Sequence, residues 1–131
     1  MADYTKLNLK QDVEDMAPRF QLSPGLESRF ARKPLGLQNS GFSYYRIAPD
    51  FRTPFGHRHS EQEEIYVVVS GSAQLKLDDD VIELAQWDTV RIPAAAMRCL
   101  EGGPEGAEVL AFGAPNTDNQ DAEMVPGWWS D

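Results

Sequence analysis

The stretch Pro54-Phe55-Gly56-His57-Arg58-His59, followed after four residues by Glu64-Ile65-Tyr66-Val67-Val68-Val69-Ser70-Gly71, decides the fold. His57 and His59 are the chain's two histidines, so all of its imidazole stands at one place. In an extended strand, side chains at i and i+2 point to the same face, so both rings can aim a nitrogen at one point. Glu64 opens the next apolar run and can add an oxygen. Two imidazoles and one carboxylate with open positions suit a non-haem Fe(II) site, and Zn, Mn or Ni accept the same donors. An isolated His-x-His is as a rule solvated. Here it lies between turn formers and a β-branched run too apolar for a surface strand.

The run resembles the first motif of the cupin superfamily: His-x-His, three or four residues, Glu, six residues, Gly. The matching positions are His57, His59, Glu64 and Gly71, and the count back from Gly71 selects Glu64 over Glu63. The family's second motif is Gly, five residues, Pro-x-Gly, two residues, His, three residues, Asn. The aligned stretch runs from Trp87 to Gly102 and keeps Asp88 and Pro93. Trp87 and Ala95 replace the two glycines, Gly102 replaces the asparagine, and Arg98 replaces the ligand histidine. The resemblance, spanning about Gly41 to Gly113, implies an all-β jelly-roll barrel with the site inside. It implies a metal held by His57, His59 and Glu64, and pairing of such small proteins as homodimers.

The rest of the chain agrees with a barrel. Its 131 residues fit one domain with a real core. We expect a polar N-terminal segment 1–25, a barrel 26–113 of six to eight strands, and a tail 114–131. Leu26 to Arg32 reads as a first strand with Leu26, Ser28, Phe30 and Arg32 on one side, ended by Pro34 and Gly36. Ser40 to Ala48 and Phe55 to His59 follow. Glu64 to Val69 is continuous enough to predict a strand buried on both faces, with Gly71 as a turn. Ala73 to Leu77 alternates, with Leu75 and Leu77 inward, and returns through Asp78-Asp79-Asp80 into Val81 to Leu84. Thr89 to Ile92, Arg98 to Leu100 and Ala107 to Phe112 are further strands, the last two separated by a polar loop, Glu101 to Gly106. One helical turn is expected near Asp12 to Met16, and no longer helix.

A formal net charge of −9 argues against nucleic acid or an anionic membrane as partner. No apolar run is long enough to span a bilayer, and the first twenty residues carry Asp12, Glu14 and Asp15, unlike a signal peptide. A cytoplasmic protein is the default expectation. A lone cysteine, Cys99, excludes an intrachain disulfide.

Arg98 poses the electrostatic question. Two neutral imidazoles, one carboxylate and a divalent cation leave a charge of +1, and a guanidinium ~4 Å away costs about 4 kcal/mol at an effective dielectric near 20. Arg98 therefore pairs with Glu64 and replaces the metal, leans onto another acid, or holds an anionic substrate through its two-pronged donor group. Tyr66 shares Glu64's face by alternation and is expected to line the cavity. Tyr44, Tyr45, Arg46, Arg52 and Trp87 are further pocket candidates, and the sequence leaves open which of Tyr44 and Tyr45 points inward. Cys99, next to Arg98, falls on the opposite strand face. Trp128 and Trp129 are expected to clamp the tail to the barrel or to a second subunit. Together with the Val67 and Val69 face they point to a homodimer.

Three functions stay open. One is a metal-dependent enzyme on a small, carboxylate-bearing molecule, of dioxygenase, isomerase or decarboxylase type, with Arg98 and Tyr66 binding substrate. The second is a metal-free small-molecule-binding or regulatory barrel with Arg98 and Glu64 paired inside, and the third is a barrel kept only as a structural or dimerisation unit.

Overall fold

The computed structural model describes residues 2–118 and 120–131. Eight strands, all paired antiparallel, curl into one sheet: β1 (Leu26–Phe30), β2 (Gly41–Ile47), β3 (Phe55–His59), β4 (Glu63–Leu77), β5 (Asp80–Leu84), β6 (Thr89–Ile92), β7 (Arg98–Ala114) and β8 (Ala122–Pro126). The spatial order β1-β2-β7-β3-β8 makes one wall, and β4 pairs with β5, β6 and β7 to make the other. Among the described residues, helix is confined to four-residue turns, α1 (Leu9–Asp12), a 3₁₀ turn (Ala17–Phe20) and α2 (Arg32–Leu35). The all-β expectation holds, and the early helical turn sits slightly N-terminal of its expected place because Asn8 caps it. The Asn8 side chain accepts from the amides of Lys10 and Gln11, both at 3.0 Å.

The long pair β4–β7 is the spine of the barrel. Its register runs from Glu63 opposite Ala114 to Leu77 opposite Arg98. Inward positions of β4 are Glu64, Tyr66, Val68, Ala73 and Leu75, all buried. Val68, Leu75, Ile92 and Val109 have no exposed surface. Burying each such side chain contributes roughly 1.5–3 kcal/mol, so this seam supplies much of the fold's stability.

Four sequence expectations change here. The run Ile65 to Val69 is buried on one face only: Ile65 is 42% exposed, and Val67 and Val69 are half-buried. Continuous β-branched sequence reports strand propensity as much as burial. Gly71 is not a turn but a bulge within β4, where the register shifts between Val68 and Ala73. It has φ +71°, and a Cβ there would lie 2.0 Å from the Gly106 carbonyl oxygen. Gly71 thus lets β7 pass at close range. Correspondingly, Glu101 to Gly106 is not a separate loop, because β7 runs through it. Finally, part of the expected tail enters the sheet: β8 pairs with β3 from Phe55 opposite Pro126 to His59 opposite Ala122.

The Trp pair clamps onto its own barrel. Arg52 lies over the Trp129 ring at 4.2 Å and Lys76 over the Trp128 ring at 4.5 Å. A Cβ on Gly56 would meet Trp128 at 2.7 Å, so the glycine before His57 makes room for the tail.

Candidate metal centre

β3 brings His57 and His59 to the barrel interior by strand alternation, and the start of β4 presents Glu64 to them. The imidazole rings stand 5.2 Å apart, nearly perpendicular at 88°. His57 Nε2 lies 3.3 Å and His59 Nε2 3.5 Å from Glu64 Oε1. One donor atom from each of the three residues falls within 4.8 Å of the others. His59 and Glu64 are buried, and His57 is half-buried.

A fourth residue, Asp121, sets the orientation of His59. Its Oδ1 lies 3.0 Å from His59 Nδ1, and its Oδ2 accepts the backbone amides of Glu61 (3.1 Å) and Gln62 (3.0 Å). An ionised Asp121 makes Nδ1 the donor and leaves Nε2 facing Glu64, the arrangement a metal-binding histidine needs. Burial opposes the charge of Asp121, but the His59 hydrogen bond and the two amides outweigh it and hold the carboxyl at about 2. Burial likewise opposes the charge of Glu64, yet the hydrogen bonds of His57 and His59 and the charges of His57 and Arg98 bring it down to about 2. For His59, burial pulls the pKa down, and the bonds to Glu64 and Asp121 raise it above the usual histidine value.

The donor set fits a divalent transition metal: two imidazole nitrogens, one ionised carboxylate and a second carboxylate steering one ring. Arg98 complicates the fit. Fully buried on β7 opposite His57, it donates from Nη1 to Glu64 Oε1 at 2.8 Å. Its Nη2 donates to the carbonyls of Pro93 (2.7 Å) and Ala94 (3.2 Å). Of the three arrangements the sequence allowed, the pairing with Glu64 is the one present. Arg98 Nε is a buried side-chain nitrogen without a partner.

Two chambers meet at this centre. The more polar one, of about 530 Å³, includes His57, His59, Gln62 and Glu64 in its wall. An apolar one of about 320 Å³ includes Tyr66, Arg98, Ile47 and Leu100. Phe30, Tyr45, His57 and Met124 border both. Tyr45 is therefore the inward tyrosine. Tyr44 is buried on the other face, its hydroxyl donating to Glu108 Oε2 at 2.5 Å. The other pocket candidates stay outside. Trp87 is 66% exposed, Arg46 pairs with Glu27, and Arg52 pairs with Glu101 and Asp131. Cys99 is buried, its Sγ 3.0 Å from Thr53 Oγ1.

Sequence reasoning missed two contributors. Asp121 carries no local motif and reaches the site only through the β8–β3 pairing. The N-terminal segment, read as polar, closes the barrel mouth: Val13 and Met16 wall the polar chamber, and Ala17, Phe20 and Leu22 the apolar one. Met16 N donates to the Ser28 carbonyl at 2.7 Å, and Asp15 Oδ1 accepts from the amides of Ala17 (3.0 Å) and Ser28 (2.9 Å). Val13, Met16, Ala17 and Phe20 are spaced as on a helix but share none, because the backbone is extended at Val13 and turns at Ala17–Phe20, so pattern alone did not mark them.

No protein-family model matches the chain. Among curated proteins, an uncharacterized protein of Methanocaldococcus jannaschii is 29% identical over 70 residues, which is 53% of this chain and 56% of that protein. Among solved structures, a cupin protein of Bacteroides fragilis superposes with a TM-score of 0.71 at 23% identity, covering 89% of this chain and 88% of that one. An oxalate decarboxylase of Bacillus subtilis gives 0.77 at 18% identity, covering 95% of this chain and 32% of the enzyme. The eight curled antiparallel strands, with two histidines and a glutamate gathered inside, have the cupin fold.

Proposed function

We propose that this chain is a cupin that holds a divalent transition metal, one of Fe, Mn, Zn or Ni, on His57, His59 and Glu64, and that it binds or transforms a small carboxylate-bearing molecule beside it. The convergence of the three donors, with Asp121 fixing which His59 nitrogen faces Glu64, carries this proposal. The similarity of the barrel to an oxalate decarboxylase supports a small carboxylate ligand. A metal bound on this set supplies Lewis-acid or redox chemistry. The protein's own residues do the rest. His57, His59 and Arg98 keep Glu64 ionised, the segment 13–22 shields the chambers from water, and Arg98 and Tyr66 orient the ligand.

The Arg98–Glu64 pair favours a second reading, a metal-free binding or regulatory barrel, because a buried guanidinium already neutralises the carboxylate. Elemental analysis of untagged protein, as purified and after reconstitution with Fe²⁺, Mn²⁺, Zn²⁺ and Ni²⁺, separates the two. Metal bound by wild type and lost in His59→Ala supports the metal site. No metal under any condition leaves the binding module.

A cytoplasmic homodimer belongs to the same proposal. Ile65 and Phe112 are exposed neighbours across β4 and β7, and Phe42 stacks on Phe112 at 4.8 Å, giving an apolar outer patch beside Val67. Light scattering at micromolar concentration tests this, with a monomer mass as the refuting result.

A further inference from the structure

We infer that the barrel's ligand is a monocarboxylate with an apolar body, aromatic or branched, rather than a polyanion such as a dicarboxylate or a sugar phosphate. The inference rests on the proposal that the barrel is a small-molecule site, and it names the class of molecule.

The apolar chamber decides the body. At about 320 Å³ it lies near the lower end of small-molecule sites, roughly 300–1,000 Å³. Leu22, Leu26, Ile47, Phe55 and Leu100 dominate its wall. Such a wall gives a hydroxyl-rich sugar almost nothing to bond, and burying unpaired hydroxyls is unfavourable.

The charges decide the head. Arg98 is the one Lys or Arg side chain bordering this chamber among the described residues. Two of its three nitrogens are committed, Nη1 to Glu64 and Nη2 to Pro93 and Ala94. Nε is buried with no partner, and buried N–H groups as a rule have one. One acceptor oxygen beside Arg98 would satisfy it. A second anionic group in this apolar chamber would find no second cation. The other Lys and Arg near the site, Arg32 and Lys33, border the other chamber, where Arg32 is held by Asp118 at 3.1 Å and by the Ser40 carbonyl at 2.8 Å. His57 borders both chambers, so a carboxylate between Arg98 and His57 lies next to the candidate metal donors while its body fills the apolar side.

Calorimetric titration tests this on EDTA-treated and on metal-reconstituted protein, with phenylacetate, isocaproate, phenylacetamide, oxalate and glucose 6-phosphate as probes. The expected result is saturable binding of phenylacetate or isocaproate, at least about tenfold tighter than oxalate, glucose 6-phosphate or the neutral amide. Phe20, exposed on the lid but bordering the apolar chamber, gives a variant that spares the core. Phe20→Glu is expected to weaken phenylacetate by about tenfold through like-charge repulsion, and Phe20→Leu to leave it within about twofold. Three results overturn the inference: a polyanion binding as tightly as the monocarboxylates, phenylacetamide matching phenylacetate, or no saturable binding by any probe. The metal proposal fails separately, because metal content is measured without ligand. Phenylacetate binding in protein that never takes metal sinks the metal site alone. Metal uptake without this preference sinks the ligand class alone.

Discussion

Arg98 Nη1 donates to Glu64 Oε1 at 2.8 Å, with Arg98 fully buried, at the motif position where the fold's resemblance calls for a histidine. On the proposed metal site, a cation stands where a donor histidine would be and holds Glu64. Arg98→His is therefore expected to remove the competing charge and add a fourth donor, raising metal affinity. Competition with a chromophoric chelator measures this, and unchanged or weaker affinity rejects it. Arg98→Met, which keeps the volume but strands the Glu64 charge, is expected to cost about 3–5 kcal/mol in urea unfolding of the metal-free protein.

Asp121 and His59 make a second test. Replacing the carboxylate by an amide keeps the size but removes the charge that makes Nδ1 the donor. Asp121→Asn is expected to lower metal affinity by roughly 10–100-fold while leaving the circular dichroism spectrum unchanged. Affinity equal to wild type would reduce Asp121 to a loop anchor for Glu61 and Gln62.

How far the sequence reached follows from which signals are local. His57 and His59 are readable because i, i+2 spacing on a strand dictates a shared face, and Gly71 identifies Glu64 by counting. Asp121 was not readable: its partner is 62 residues away, and only the β8–β3 register seats it. Val13, Met16, Ala17 and Phe20 lie on no common helix or strand, because the chain is extended at Val13 and turns at Ala17–Phe20. Glu101 to Gly106 has the composition of a loop yet lies in β7, because the crossing with Gly71 demands small residues inside a strand. Composition reports local freedom, whereas the register of β4 and β7 is a property of the closed sheet.

Acid stability gives a further test away from the site. Glu108 accepts from Tyr44 at 2.5 Å and from Ser70 at 2.9 Å, with Lys10 at 3.5 Å. The Tyr44 and Ser70 hydrogen bonds hold its carboxyl below the ordinary value. A carboxyl lowered in the folded state stabilises fully above its unfolded pKa, about 4.3, and that contribution is lost as pH falls through the folded value. Glu108→Gln is expected to lower Tm near neutral pH and to converge on wild type in the acid range. A Tm difference that stays constant from pH 7 to acid would remove the carboxylate from the account.

Trp87 is a bulky residue at φ +71° on the turn before β6, with its side chain 66% exposed and its amide donating to the Val68 carbonyl at 2.6 Å. It stands where the second motif has glycine, and the backbone keeps the left-handed conformation that glycine adopts freely. For an L-residue this conformation costs roughly 1–2 kcal/mol. Glycine relieves that cost but loses more entropy on folding, about 0.5–1 kcal/mol. The exposed ring buries little that would be lost. Trp87→Gly is therefore expected to stabilise by up to about 1 kcal/mol, raising Tm by a few degrees, with metal content unchanged. If Trp87→Gly instead lowers Tm by several degrees, or shifts the oligomeric mass in light scattering, the indole has a partner that offsets the strain.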